Sequence, residues 1–295
     1  MRIVTKEEIT KLMPAPKDCV AWVEEVLKHK SECILPPKIS LHFEGHTFFN
    51  TMPAALPFMD RIGLKEVSRI PGRNPSLAGD ILLYELSSGR LLALMDGTLI
   101  TEWRTGAVAA HSINLFQREG AKVFAMMGLG ATAHTTLRCY LNAYPNHCPK
   151  TFKLLCYKNQ AEHFATDFAD DNLTFEIVDS VESLIRDSDV VVSCVTALDG
   201  PIAKDEWFKE GCTVVPVHTR GFQNCDLFFD KVFADDTGHV CHFGNFEKFR
   251  RFAEVAEVVT GKKAGRESYS ERVLVYNIGV AIHDLYFASR ILNDA

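Results

Sequence analysis

Apolar residues along this chain change their spacing several times, and each change marks a different kind of element. Val20, Val23, Val26 and Leu27 recur at helical spacing after the break at Pro14 and Pro16, and Thr5 with Glu8 has the form of a capping box. Two early helices are predicted. From Pro36 the texture shifts to short strand-like runs, Ile39–Phe43, Thr47–Asn50, Asp80–Leu86 and Arg90–Met95, the last two separated by the hairpin signal Ser87-Ser88-Gly89. Residues 36–96 therefore read as a mainly antiparallel sheet. Asp96-Gly97 closes it, and Leu99–Phe116 has the Ala-rich composition and apolar spacing of a long helix.

Residues 122–235 then alternate. Strands are predicted at 122–127, 152–157, 174–178, 190–196, 213–217 and 231–234, with helices from 131, over 159–169 and over 181–187. That order predicts a parallel, doubly wound sheet that takes ligands at the carboxyl ends of its strands. The first strand of the series ends in Gly128-Leu129-Gly130-Ala131-Thr132-Ala133, a GxGxxA turn leading into a helix. In such a turn the first glycine takes a conformation other residues resist, the second leaves room for a pyrophosphate, and the small third residue lets helix and strand pack closely. The helix start offers its free N–H groups and positive dipole end. From Phe246 the chain reads as helical again. Gly261–Arg266 forms a flexible break before a last amphipathic helix over Gly279–Leu292, whose domain periodicity alone does not settle.

Composition narrows the function classes. The chain has 295 residues, 47% of them hydrophobic, enough for about two domains of roughly 150 residues each. A net charge of -6 with scattered Lys and Arg supplies no field for nucleic acid or an anionic membrane. No run approaches the roughly 18–20 apolar residues of a spanning helix, and no signal-peptide core follows Met1. Nine cysteines form no CxxC pair, and several sit in apolar strand-like runs, which points to a reducing cytoplasm. His239, Cys241 and His242 are spaced unlike a zinc site, so no metal is expected. After the second strand of the nucleotide region comes Tyr157-Lys158-Asn159, with no carboxylate to hold a ribose diol. This favours NADP(H), with NAD(H) still open.

Seven segments in order make the sequence resemble the ornithine cyclodeaminase and mu-crystallin family over nearly its whole length. They are Met52-Pro-Ala54, Gly63-Leu-Lys65, Ser88–Gly97, Thr101–Ala107, Gly128–Ala133, Gly261–Arg266 and Ile278–Asp284. The resemblance implies an α/β protein with a Rossmann-type domain, residues 118–264, and a second α+β domain for substrate binding and dimerisation, residues 1–117 with 265–295. It implies a homodimer acting on a small amino or imino acid held between the domains beside the nicotinamide. By motif, Lys65 and Arg104 are the catalytic candidates, and Met52 and Lys38 join them in binding substrate. Thr105 is assigned to the pyrophosphate with Gly128, Gly130, Ala131 and Thr132. Ser76, Thr196 and Asn277 are implied to line the cofactor, with Lys158, Asn159 and His218 beside it.

Three departures from the family pattern bear on activity. Lys38 stands where the family has an arginine, and Thr132 where it has a glutamine. The segment His218-Thr219-Arg220 stands where the family has Gly-Ala-Asp. Arg220 thus replaces the aspartate to which cyclodeaminases assign proton transfer, and a permanently charged guanidinium repels an ammonium substrate. The expected function is therefore an NAD(P)H-dependent oxidoreductase acting on the C–N bond of an α-imino or α-amino acid. Two alternatives stay open: a cyclodeaminase or opine-type enzyme that recycles its cofactor internally, and a crystallin-like NADPH-binding protein without turnover. Arg220 is expected to bind a second anionic group of the substrate or the cofactor phosphate.

Overall fold

The computed structural model describes residues 1–147, 149–196, 200–217 and 221–294. They form two compact units, residues 1–104 with 280–295 and residues 105–279. In the first, β1 (Arg2–Val4) precedes α1 (Lys6–Leu12) and α2 (Pro16–Lys28). Then follow β2 (Ile39–Phe43), β3 (Thr47–Leu56), β4 (Arg61–Arg69), β5 (Leu77–Glu85) and β6 (Leu91–Asp96). The Thr5 hydroxyl accepts from the Glu8 N–H while the Glu8 carboxylate accepts from the Thr5 N–H, the reciprocal cap that starts α1. The six strands run in the order β1-β6-β5-β4-β3-β2, antiparallel except for β1, which lies parallel to β6. β1 is an addition to the predicted sheet, since three residues are too few to carry a period.

The two faces of this sheet differ sharply. On one, Met52, Ala54, Lys65, Val67, Ile81, Leu83, Ala93 and Met95 are all buried, beneath the final helix, Ala281–Asp294, which packs across β3, β4 and β5. Trp22 of α2 meets Phe287 of that helix edge to face at 5.1 Å. The helix comes close because position 63 is glycine: a Cβ there would lie 3.1 Å from Leu285 Cδ2 and 2.2 Å from the Leu82 carbonyl oxygen. On the other face Ile39, Leu41 and Phe43 alternate along the edge strand and stand exposed. Register places Leu41 opposite Phe49, also exposed.

The helix α3 (Thr98–Phe116) spans the division between the units. The second unit contains β7 (Val123–Met127), α4 (Ala131–Ala143), β8 (Thr151–Leu155), α5 (Gln160–Asp167), β9 (Thr174–Val178), α6 (Val181–Ile185), β10 (Val190–Ser193) and β11 (Thr213–Pro216). It continues with β12 (Lys231–Ala234), α7 (Thr237–Val240), β13 (Phe252–Glu254), α8 (Val255–Val259) and β14 (Val273–Tyr276). All eight strands are parallel, in the order β13-β12-β14-β11-β10-β7-β8-β9. Every residue of β10, β11, β12 and β14 is buried, which is why these strands are mostly apolar rather than alternating. Strand order reverses between β7 and β10, so the switch point of this sheet lies at the end of β7.

Two expectations are corrected here. The region from Phe246 is not a helical run, because β13, the short α8 and β14 occupy it, each too short for a helical or strand period to register. Strands β8 and β10 also end at Leu155 and Ser193, before the expected 157 and 196. The Gly261–Arg266 motif has a structural role. The Arg266 guanidinium donates to the Phe116 carbonyl at 2.9 Å, to the Thr213 hydroxyl at 2.9 Å and to the Glu271 carbonyl, tying the end of α3 to the start of β11.

Candidate active site

In the first unit three charged side chains meet out of water. Lys65 on β4, Arg104 on α3 and Asp284 on the final helix are 1%, 2% and 0% exposed. One oxygen, Asp284 Oδ1, accepts from both Lys65 Nζ at 2.9 Å and Arg104 Nε at 2.8 Å. The other carboxylate oxygen and Arg104 Nη1 are buried with no hydrogen-bond partner. Met52 sits directly opposite Lys65 in the β3–β4 register and gives the cluster an apolar flank.

The electrostatics follow from burial. Desolvation and the Arg104 charge pull the Lys65 ammonium down to about 7. Asp284 works against that shift, and Lys38, half-buried just before β2, adds to it. Burial alone would raise Asp284, but the charges of Arg104 and Lys65 outweigh it and hold the carboxyl below its ordinary range. An amine that titrates near neutrality, beside a fixed guanidinium with an open N–H, is equipped to exchange a proton and to bind a carboxylate.

The glycine turn belongs to the second unit. Gly128 has φ +73°, and a Cβ there would lie 2.5 Å from the Val195 backbone nitrogen, so the turn is pressed against the end of β10. Around Gly130 the situation is reversed, since a Cβ would meet nothing within 4 Å. Gly130 caps α4 without a side-chain hydrogen bond, and Ala133 is fully buried behind it. Ala131 and Thr132 open the helix, exposed and half-buried respectively. A tight first glycine, open space at the second and an uncapped helix start fit a dinucleotide pyrophosphate.

The remaining predicted residues fall in varied settings. Thr105 is buried with its hydroxyl unpartnered. Next to it, Gly106 brings α3 against α4, because a Cβ there would lie 2.4 Å from Thr135 Oγ1. Ser76 is exposed ahead of β5, and Thr196 is exposed beyond β10. Lys158 and Asn159 are exposed after β8, Lys158 with φ +52° and its ammonium 5.3 Å from the centre of the Tyr157 ring. Asn277 is buried at the end of β14, its amide donating to Ser112 Oγ at 3.0 Å and Asp235 Oδ1 at 2.8 Å. Its carbonyl oxygen has no partner. His218 and Arg220 lie outside the described residues. His239 Nδ1 donates to Asp236 Oδ1 at 2.7 Å, and no group that could hold a metal ion occurs among the described residues. No helix among them is long and apolar enough to cross a membrane. A cavity of about 490 Å³ lined by Asp226, Phe228, Lys248 and Arg250 lies at the amino ends of β12 and β13, the sheet edge opposite the glycine turn.

The family model of the ornithine cyclodeaminase/mu-crystallin family matches residues 2–295. The chain belongs to that family. It is 29% identical to the ketimine reductase mu-crystallin of Rattus norvegicus over 84% of this chain and 80% of that protein. Among solved structures it resembles the Thermococcus litoralis Δ1-pyrroline-2-carboxylate reductase in complex with NADH and L-proline. There the TM-score is 0.89 at 24% identity, over 100% of this chain and 97% of the other. It also resembles an archaeal alanine dehydrogenase dimer with bound NAD, with a TM-score of 0.86 at 25% identity over 99% and 95% of the two chains.

Within this family member, Asp284 is the part of the buried cluster to which no sequence motif assigned a role. It closes the Ile278–Asp284 motif, and its signal is a lone carboxylate in the otherwise apolar stretch Val280–Leu285, apart from His283. The cluster generates a stability contrast. Lys65→Met removes a desolvated ammonium and leaves Asp284 paired with Arg104, so urea unfolding is expected to change by less than about 1 kcal/mol. Asp284→Ala leaves the buried Arg104 guanidinium without its acceptor and is expected to cost about 3–5 kcal/mol. A larger loss in the lysine variant than in the aspartate variant would contradict the charge assignment.

Proposed function

We propose that this protein is an NAD(P)H-dependent reductase of C=N bonds in α-imino acids, running in reverse as an amino-acid dehydrogenase. The observation that carries the reading is a buried lysine titrating near neutrality beside an arginine with an open buried N–H. The named activities of the family's ketimine and pyrroline-2-carboxylate reductases support it. The nicotinamide, when bound, supplies the hydride. Lys65 donates the proton to the substrate nitrogen as the carbon is reduced, and Arg104 holds the substrate carboxylate, with Lys38 and Met52 completing the substrate contacts. Gly128, Gly130, Ala131, Thr132 and Thr105 hold the pyrophosphate, and Ser76, Thr196, His218 and Asn277 line the rest of the cofactor. Arg220 takes a second anionic group, from the substrate or from the cofactor phosphate.

The direction of pH dependence follows from the state of Lys65. Reduction needs the ammonium, so kcat/KM for a cyclic ketimine is expected to fall as pH rises through about 7. Amine oxidation needs the free amine and is expected to rise over the same range. Loss of NAD(P)H absorbance across a panel of cyclic and open-chain imino acids checks the first, and gain of that absorbance from oxidised cofactor with the corresponding amino acids checks the second. Inert mixtures throughout, or the same pH trend in both directions, would refute the assignment.

The cofactor reading has its own test. Gly130→Val adds a side chain where the protein has open space, so its melting temperature should match the parent while NADPH affinity drops by on the order of 100-fold or more. Titration calorimetry with NADPH and NADH measures that loss and also the preference for NADPH that Lys158 and Asn159 support. Tighter binding of NADH would reverse the preference.

A homodimer through the first unit's sheet is part of the same proposal. The exposed row of Ile39, Leu41 and Phe43 on the edge strand, with Phe49 on its neighbour, is an apolar face, a feature that soluble proteins usually cover. One structural neighbour is described as a dimer. Leu41→Glu with Phe43→Glu is expected to convert a dimer to a monomer in analytical ultracentrifugation. A monomeric parent protein would rule the dimer out.

A further inference from the structure

Asp284 is too specifically placed to serve only as a counter-charge. It does not grip Arg104 through two parallel N–H bonds, the arrangement of a bidentate carboxylate pair. It takes the Nε hydrogen at 2.8 Å and leaves Nη1 buried and unpartnered. The same oxygen takes one hydrogen of Lys65 at 2.9 Å. Asp284 Oδ2 is left with no partner although the residue is fully buried. A purely structural ion pair in a dry interior is expected to satisfy both carboxylate oxygens, because each unmet one costs free energy. The unmet atoms here are one donor on Arg104 and one acceptor on Asp284, on either side of the atom that joins the two cations.

We infer that Asp284 is a positioning residue: by binding Lys65 Nζ and Arg104 Nε on one oxygen, it fixes the proton-transfer nitrogen and the carboxylate-binding guanidinium relative to each other. The inference rests on the proposed roles of Lys65 and Arg104. It adds a residue to which no role had been assigned, and it gives the charge cluster a division of labour. Arg104 on α3 and Lys38 before β2 both disfavour the Lys65 ammonium, and Asp284 on the final helix favours it. Met52 and Ile81, the cross-strand neighbours of Lys65, carry no charge. Gly63, two residues before Lys65 on the same strand, lets the helix carrying Asp284 approach.

The experiment compares the parent protein with Asp284→Asn, which keeps shape and an acceptor oxygen but not the charge. The Lys65 side chain is followed by NMR of protein labelled with [13Cε]lysine, its signal identified by its absence in Lys65→Met. Loss of the carboxylate is expected to move the Lys65 midpoint down by about 1 pH unit or more. The falling limb of kcat/KM should move with it, and KM for the imine should rise. An unchanged Lys65 midpoint in Asp284→Asn overturns the inference. Because the titration needs no turnover, a parent protein inert toward every imine would refute the proposed function while the NMR midpoint still decides the role of Asp284. If Asp284→Asn does not fold, the assigned Asp284 carboxyl carbon is followed in the parent and in Lys65→Met. A shift step at the Lys65 midpoint that vanishes in Lys65→Met supports the inference, and no step in the parent overturns it.

Discussion

A lysine, an arginine and an aspartate withdrawn from water are tolerable only together, and much of the first unit is arranged so that they can be. Removing any such charge from solvent costs several kcal/mol, and the return depends on hydrogen bonds as short and direct as those on Asp284 Oδ1. Their formation requires the final helix to lie close over β4, which requires the glycine at 63. It also requires a second layer, α2 with Trp22, to keep that helix seated. The apolar packing thus does electrostatic work. It holds the dielectric low enough to bring an amine toward neutrality and keeps the carboxylate from being solvated away.

The second unit solves a complementary problem with backbone alone. Its glycine turn is rigid at one residue and empty at the next: Gly128 is wedged under the end of β10 in a left-handed conformation, while Gly130 faces open space. Rigidity at the first position fixes where α4 begins, and the second leaves that beginning accessible to an anion. Gly106 extends the theme, because the absence of a side chain there lets α3 lie against Thr135 of α4.

Much of this was legible in the sequence. The antiparallel run, the long helix after Asp96-Gly97, and the strand–helix alternation through Ala234 carry either a strong period or strong punctuation, and they fold as their patterns require. Lys65 and Arg104 of the buried cluster lie in motifs that mark them as candidates in the sequence. Asp284 is not so marked, because a single acid in an apolar helix has no period, and its meaning depends on partners 219 and 180 residues away in sequence. β13 and β14 were missed for a different reason. At three and four residues they are apolar runs that a helix could equally absorb, and only pairing with distant strands decides between the two.

The position of β14 has a consequence for how the chain reaches this structure. It is the last strand of the second unit in sequence, yet it lies inside the sheet, between β11 and β12. As the polypeptide leaves the ribosome, β11 can join β10 and β12 can join β13, but the two groups stay separate until residues 273–276 arrive to bridge them. Each carries an unsatisfied apolar edge in the interval, the kind of surface that invites pairing with other chains. Closing the sheet with its final strand makes completion a long-range, late event. The cost of this topology therefore falls on the nascent protein, as a window of exposure during synthesis.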